Sequence, residues 1–224
     1  MSIRLDPHQP HPAGALAATL AAEGFKETPA ELHQRTVCVD LTQSSETMWK
    51  GFRSTARNQI RHAEKELSTT FATVAEVPTY IAMHAAAAED KGYETLDTGW
   101  LTTLLQTGRC LLVLSRLDDR VVGGGVFGLG GQTVHYLYGA RDRAYRGPAF
   151  YAAFWEMIRH AKEQGFARFD VGGLPDDNEG VSFFKRAFGG QEVTFTEEQE
   201  LVIRSMAHAS WHQIRHRLME TRLV

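Results

Sequence analysis

Cysteine is almost missing: Cys38 and Cys110 are the only two among 224 residues. Both sit in apolar runs. This excludes a disulfide-stapled scaffold and a paired-cysteine zinc site, and reads as two small buried hydrophobes in a reducing compartment. Long hydrophobic runs are missing as well. Leu111 to Leu114 and the glycine-broken Val121 to Leu129 are the longest. A membrane-spanning helix needs roughly 20 apolar residues. The opening MSIRLDPHQPHPAG has no charged stretch leading into an apolar one, so no secretory leader is read there. A cytoplasmic protein without a membrane span is expected. No charge of one sign dominates, with 24 Lys and Arg against 27 Asp and Glu, a net charge of −3 and a pI near 6.4. Bulk charge therefore argues against a strongly basic nucleic-acid binder, and the distribution of charge has to decide. The motifs HExxH, CxxC and GxSxG are absent too. His208, His212 and His216 recur at every fourth position without a carboxylate-rich partner set, and no metal site is expected from them.

What is present is a globular composition, 43% hydrophobic and 23% charged. It suits one large domain, read here as residues 34–224, preceded by an arm and helix over 1–33. Ala13 to Glu23 is Ala/Leu-rich and stopped by Gly24. Gln34 to Leu41 alternates like a strand. Helical periodicity runs from Met48 to Leu67, with Ser45 as its expected cap. Ser68 to Val74 reads as a strand, then Val77 to Lys91 and Thr98 to Gln106 as helices. Arg109 to Arg116, Arg120 to Leu129 and Thr133 to Tyr138 form an antiparallel meander with Leu117-Asp118-Asp119 as the first turn. A helix from about Pro148 to Gln164, a short strand Arg168 to Val171, a helix Gly180 to Phe188, a strand Glu192 to Ile203 and a helix Trp211 to Met219 complete the order. The fold class is α/β, a mixed and mostly antiparallel sheet flanked by helices.

Three segments carry chemistry. Arg53, Arg57, Arg61 and Lys65 fall at i, i+4, i+8 and i+12, one face of a continuous helix. Such a stripe is either a solvated face or a line of cations roughly 6 Å apart suited to phosphates. The strand-to-helix turn after the meander holds Tyr136, Tyr138, Arg141, Arg143, Arg146, Gly147 and Pro148. A helix start there offers N–H groups to a phosphate, and the three arginines offer side chains. Pro148 removes one N–H. In the third segment, Asp170 ends a short strand before Gly172-Gly173, where glycine permits close backbone approach. Phe184 and Phe188 lie one turn apart beside Lys185, whose ammonium suits an oxyanion or phosphate. Its alternative is a surface lysine whose stem covers the core.

In order and spacing these segments resemble the Fem family of aminoacyl-tRNA-dependent aminoacyltransferases, built from GNAT-like halves. The matching pieces are Thr36-Val-Cys-Val-Asp40-Leu41, Arg57-Asn-Gln-Ile60-Arg61-His-Ala63-Glu-Lys65, Tyr136-Leu-Tyr138-Gly-Ala, Asp170-Val-Gly172-Gly173 and Phe184-Lys185-Arg-Ala-Phe188-Gly189. They lie within residues 34 to 195. The resemblance implies a GNAT-like fold and transfer of an amino acid from aminoacyl-tRNA to an amine acceptor, which is a peptidoglycan precursor, a peptide or a small metabolite. It implies no bound cofactor, with aminoacyl-tRNA as co-substrate. Lys185 falls at the family lysine beside the channel for the aminoacyl end, Phe184 and Phe188 at its walls, and Arg57 and Arg61 on the basic helix. Asp170, Tyr136 or Tyr138, or a ribose hydroxyl of the tRNA, is the expected proton acceptor. An acyl-CoA-dependent GNAT N-acyltransferase is the alternative, and a non-catalytic RNA-binding or accessory protein of the same fold the second.

Overall fold

The computed structural model describes residues 2–5, 15–27, 35–194 and 199–202. In chain order its elements are β1 (Ser2–Leu5), α1 (Ala15–Ala22), β2 (Lys26–Glu27), β3 (Arg35–Asp40), α2 (Ser45–Gly51), α3 (Ser54–Glu66), β4 (Ser68–Phe71), a short 3-10 turn (Val74–Glu76), α4 (Val77–Lys91), α5 (Thr98–Gln106), β5 (Cys110–Leu117), β6 (Arg120–Gly130), β7 (Thr133–Arg141), α6 (Ala149–Glu163), β8 (Arg168–Asp170), α7 (Glu179–Arg186), β9 (Gln191–Thr194) and β10 (Gln199–Val202). Two compact units result. One comprises Met1–Arg35 with Val193–Val224, and its described part contains a small antiparallel sheet of order β1-β10-β2. The other, Thr36–Glu192, is built on a seven-stranded sheet of order β4-β5-β6-β7-β8-β3-β9.

Local chemistry sets the boundaries of the larger unit. Ser44 caps α2 by accepting from Thr47 N at 3.1 Å, Asp97 caps α5 by accepting from Trp100 N at 2.6 Å, and Asn178 caps α7 through Val181 N at 3.1 Å. Thr73 and Glu76 form a reciprocal capping box ahead of α4. The strands β5, β6 and β7 make the expected antiparallel meander, and β7 pairs parallel to β8 over three residues, Thr133 to His135 against Arg168 to Asp170. One face of the sheet is covered by α3 and α6 around Phe52, Ile60, Phe127, Phe154, Phe169 and Phe188. The opposite face is covered by α4 and α5 around Tyr80, Leu101, Leu112, Leu114 and Val126. Each fully buried phenylalanine contributes about 1.5–3 kcal/mol through removal of its ring from water. The glycine run of β6 lets α6 sit close: a Cβ on Gly123 would lie 2.6 Å from the Ala149 Cβ.

Several expected elements differ. The helix expected from Met48 to Leu67 is two helices, broken where Phe52 and Arg53 adopt extended backbone. Tertiary packing wins over periodicity here. Phe52 turns its ring into Trp49, Trp155 and Phe188, and the Arg53 amide donates to the Ala187 carbonyl at 2.9 Å. The cap of the first helix is Ser44 rather than Ser45, and Pro148 is the residue preceding α6 rather than its first turn. The single strand expected over Glu192 to Ile203 is two strands, β9 and β10, in different sheets. The expected helix Trp211 to Met219 and the histidine stripe lie outside the described residues.

Candidate active site

Where β8 ends, Asp170 is buried, 5% exposed, between its two neighbours β7 and β3. Three donors converge on its carboxylate. The Thr36 hydroxyl donates to Oδ1, the Gly172 amide donates to Oδ1 at 2.8 Å, and His135 Nδ1 lies 3.3 Å from Oδ2. Burial opposes the charge, but the bonds from His135, Thr36 and Gly172 together hold the carboxyl below the usual carboxylate range. A carboxylate so satisfied is a weak base and a firm anchor.

Lys185 is carried in by α7 and is 8% exposed. Its ammonium donates to the Gly173 carbonyl at 2.6 Å and stands 5.3 Å over the Tyr136 ring. Burial pushes its pKa down to about 8, against the opposing attraction of Asp170. Gly172 has φ +75°, and a Cβ there would meet the Tyr136 carbonyl oxygen at 2.8 Å and Lys185 Nζ at 3.3 Å. Only glycine lets this backbone pass between the two. Beyond His135, β7 runs on to Arg141 while β8 stops at Asp170, so the two strands pair no further among the described residues. Lys185, Tyr136 and the Gly172-Gly173 backbone stand at that parting. A positive charge held at the gap between two strands is suited to an oxyanion.

Tyr136 and Tyr138, two residues apart, would share a face of a regular strand. A β-bulge separates them: Phe127 pairs with Tyr136 and Val126 with Tyr138, leaving Leu137 extra. Tyr136 packs at 4.6 Å on Phe154 on the α6 side, and burial pushes its phenol up. Tyr138 lies on the opposite side, against Trp100 and His84, and is 38% exposed. The geometry thus brings together Asp170, Lys185, Tyr136, Gly172 and Gly173, and not Tyr138.

Phe188 is fully buried and stacks at 5.1 Å on Phe154. It is a core residue, not a channel wall, because the chain just past α7 turns its ring against Phe52, Tyr151 and Phe154 rather than to solvent. Phe184, half-buried, packs on Tyr151 and Phe154. The break at Phe52 also reshapes the cationic stripe. Arg53 precedes α3, with its guanidinium 5.6 Å over the exposed Phe183 ring. Arg57 turns back to donate to the Phe52 and Lys50 carbonyls at the end of α2. Arg61 lies over Trp49 at 5.5 Å, and Lys65 is exposed. At the β7–α6 turn, Arg143 donates to the Ala86 carbonyl and pairs with Asp90 at 2.8 Å, which commits it to α4. Arg141 and Arg146 line a cleft of about 350 Å³ with Tyr93 and Phe150.

Thr36 and His135 are the site residues missed from the sequence. The signal for them is register: both sit on the strands flanking Asp170, and strand pairing is not written in either strand alone. Among the described residues no group of three His, Cys, Asp or Glu is placed to hold a metal ion, and no helix is long and apolar enough to cross a membrane.

A meander, a parallel strand that parts from it and a helix over the gap define the class. The family model described as an acetyltransferase (GNAT) domain matches residues 50–186, more than half the chain, and the chain belongs to that family. Among solved structures, that of FemX superposes with a TM-score of 0.76 over 90% of this chain and 72% of its own, at 17% identity. The C-terminal domain of a candidate lysylphosphatidylglycerol synthetase from Agrobacterium fabrum superposes with a TM-score of 0.62 at 12% identity, covering 90% of this chain and 68% of that one. L-PGS from Bacillus licheniformis does so with a TM-score of 0.59 at 11% identity, covering 86% and 66%. At these identities the likeness is one of fold. No curated protein matches the sequence.

Proposed function

We propose that this GNAT-fold acyltransferase moves an amino acid from aminoacyl-tRNA to an amine. The observation that carries the reading is the buried Lys185 ammonium at the parting of β7 and β8. Cation–aromatic contacts on α2, α3 and α7 support it, because Arg53 over Phe183 and Arg61 over Trp49 suit a polyanionic, base-bearing donor. The α3 start is tied to the α7 end by the Arg53–Ala187 bond, so this surface adjoins the helix that carries Lys185. The sequence resemblance to the Fem family points the same way.

In the reaction the acceptor nitrogen attacks the ester carbonyl carbon. A C–N bond forms, the C–O bond to the ribose breaks, and the amine proton ends on the departing ribose oxygen. Lys185 stabilises the oxyanion, and positioning supplies most of the acceleration because the ester is already activated. Asp170, its carboxylate occupied by three donors, holds the Gly172 turn and Thr36 in place rather than taking the proton. A neutral Tyr136 phenol is a poor base as well. The neighbouring ribose hydroxyl is therefore the proton relay.

A second reading, transfer from acyl-CoA, is favoured by the cleft carrying Arg141 and Arg146 at the β7–α6 turn. Purified protein incubated with an amine panel and either radiolabelled aminoacyl-tRNA or radiolabelled acetyl-CoA separates the two. Label leaving the tRNA for an amine, lowered about 100-fold or more in Lys185→Ala, is the expected result. Acetyl transfer with no use of aminoacyl-tRNA would establish the second reading instead.

A further inference from the structure

The cleft at the end of β7 is left without a ligand by transfer from aminoacyl-tRNA. None of its lining residues comes from α2, α3 or α7, the elements assigned to the donor. Asp90 of α4, Tyr93 just past it, Gly139 and Arg141 of β7, Arg146, and Phe150 of α6 form its walls around about 350 Å³. Its charge is unbalanced. Arg143, also on the wall, is paired with Asp90 at 2.8 Å and Glu89 at 3.6 Å. Asp142 is turned to Arg120 at 3.2 Å and to the Ala144 amide at 2.9 Å. The nearby carboxylates are thereby used, and Arg141 and Arg146 have no hydrogen-bond or ion-pair partner among the described residues. Two such guanidiniums beside the rings of Tyr93 and Phe150 suit an anionic group on an apolar stem.

This cleft and Lys185 share one face of the sheet. Arg141 lies opposite Gly123, and Gly139 opposite Gly125. A Cβ on Gly123 would meet Ala149 of α6 at 2.6 Å, and one on Gly125 would meet the Tyr136 ring at 3.5 Å. Residues directly opposite on paired strands point to the same side, so Gly139 and Arg141 face α6, as Tyr136 does. The bulge at Leu137 makes this so, because an uninterrupted strand would turn Gly139 and Arg141 away from Tyr136. A Cβ on Gly139 would collide with the Tyr136 hydroxyl and stand 2.8 Å from the Phe150 ring. Lys185 stands 5.3 Å over the same Tyr136 ring, and Phe150 lies 6.1 Å from Phe184, the residue before Lys185. The Tyr136 ring therefore spans from Lys185 to the cleft wall at Gly139. Arg141 is two residues further, about 7 Å along a strand. An anion on Arg141 then stands on the order of 10 Å from a carbonyl held at Lys185, roughly the reach of three extended residues.

We propose that Arg141 and Arg146 receive an anionic group, carboxylate or phosphate, of the acceptor. The acceptor is then an amine with a negative charge about 7–10 Å from its nucleophilic nitrogen. This rests on the reading that an amine attacks a carbonyl at Lys185. With the anion anchored in the cleft, the nitrogen reaches that carbonyl along the α6 side of β7 and crosses no strand.

NMR of the full chain with isotope-labelled arginine tests the site, the two Nε–H lines being assigned by their loss in Arg141→Gln and Arg146→Gln. Titration with ε-aminohexanoate or aminohexyl phosphate is expected to move both lines saturably, at least about tenfold more tightly than hexylamine. The tighter of the two identifies the anion. In the transfer assay the KM for the preferred anionic amine is expected to lie at least about fivefold below that for hexylamine. That ratio falls toward one in the Arg141→Gln/Arg146→Gln double variant, whose folding is checked by circular dichroism. Glycine, too short to span the interval, gains nothing from the two arginines. Equal shifts from hexylamine, no shift in a folded protein, or shifts from acetyl-CoA alone overturn the acceptor site. Transfer from aminoacyl-tRNA to hexylamine as readily as to the anionic amines would sink the site and leave the reaction standing. Anion-selective shifts without any such transfer would sink the reaction and leave Arg141 and Arg146 as an anion site.

Discussion

Lys185 is a cation held where water would otherwise stabilise it better. Its pKa of about 8 follows from burial, only partly offset by Asp170. Below that pH the ammonium is present to meet an oxyanion, and above it the group is neutral. The ratio of wild-type to Lys185→Arg activity is therefore expected to fall as pH rises through about 8, measured as kcat/KM on one acceptor so that the acceptor's own titration cancels. Stability runs the other way. Between about 8 and 10.5 the unfolded chain binds more protons at this position than the folded one, so the Lys185 contribution to folding becomes more favourable with rising pH over that window. Asp170 depends on pH in the same direction but in a lower window: its folded carboxyl is held low, so its contribution is in place above the ordinary carboxylate range and is lost as pH falls through the folded value. Asp170→Ala strands the Gly172 amide and leaves the Thr36 hydroxyl only the Gly172 carbonyl at 3.0 Å, and a loss of about 1–3 kcal/mol in urea unfolding is expected. An unchanged midpoint would show that the cluster of donors is not holding the turn.

At the scale of an element, the four cations that look equivalent along the sequence divide into two kinds. Arg57 spends its guanidinium on the carbonyls that end α2, whereas Arg61 and Lys65 face outward along α3. Arg57→Ala is expected to cost about 1 kcal/mol of stability by freeing those carbonyls. Arg61→Ala and Lys65→Ala are expected to leave the unfolding midpoint within about 0.5 kcal/mol of wild type while weakening tRNA binding. Thermal or urea unfolding beside filter binding on the same variants separates the two roles. The break that creates this division is legible only afterwards. Gly51 is a weak point for a helix by propensity, and the packing of Phe52 among Trp49, Trp155 and Phe188 decides the break there.

For the whole molecule, a net charge of −3 means that no long-range field draws a polyanion in. Binding has to come from a local patch with few contacts. With Arg53, Arg61 and Lys65 outward and Arg57 committed, the slope of log K for tRNA against log salt is expected to be roughly −2 to −3, at about 0.7–0.9 per contact. A slope near zero, measured between two salt concentrations, would place the donor elsewhere, with acetyl-CoA as the competing ligand in the same titration.

The order of elements, the meander, the long helix after it and the glycine stops are local properties, and the sequence carries them through propensity, period and capping chemistry. The residue types of the site are equally local: a lysine beside two phenylalanines, an aspartate before two glycines. Which of them meet is a matter of register and packing. Thr36 and His135 join Asp170 because β3 and β7 flank β8, Phe188 leaves the site because the chain past α7 turns it into the core, and Tyr138 parts from Tyr136 because one extra residue at Leu137 reverses the alternation. Strand partners and bulges are set by contacts between residues far apart in the chain, so only the tertiary structure could decide them.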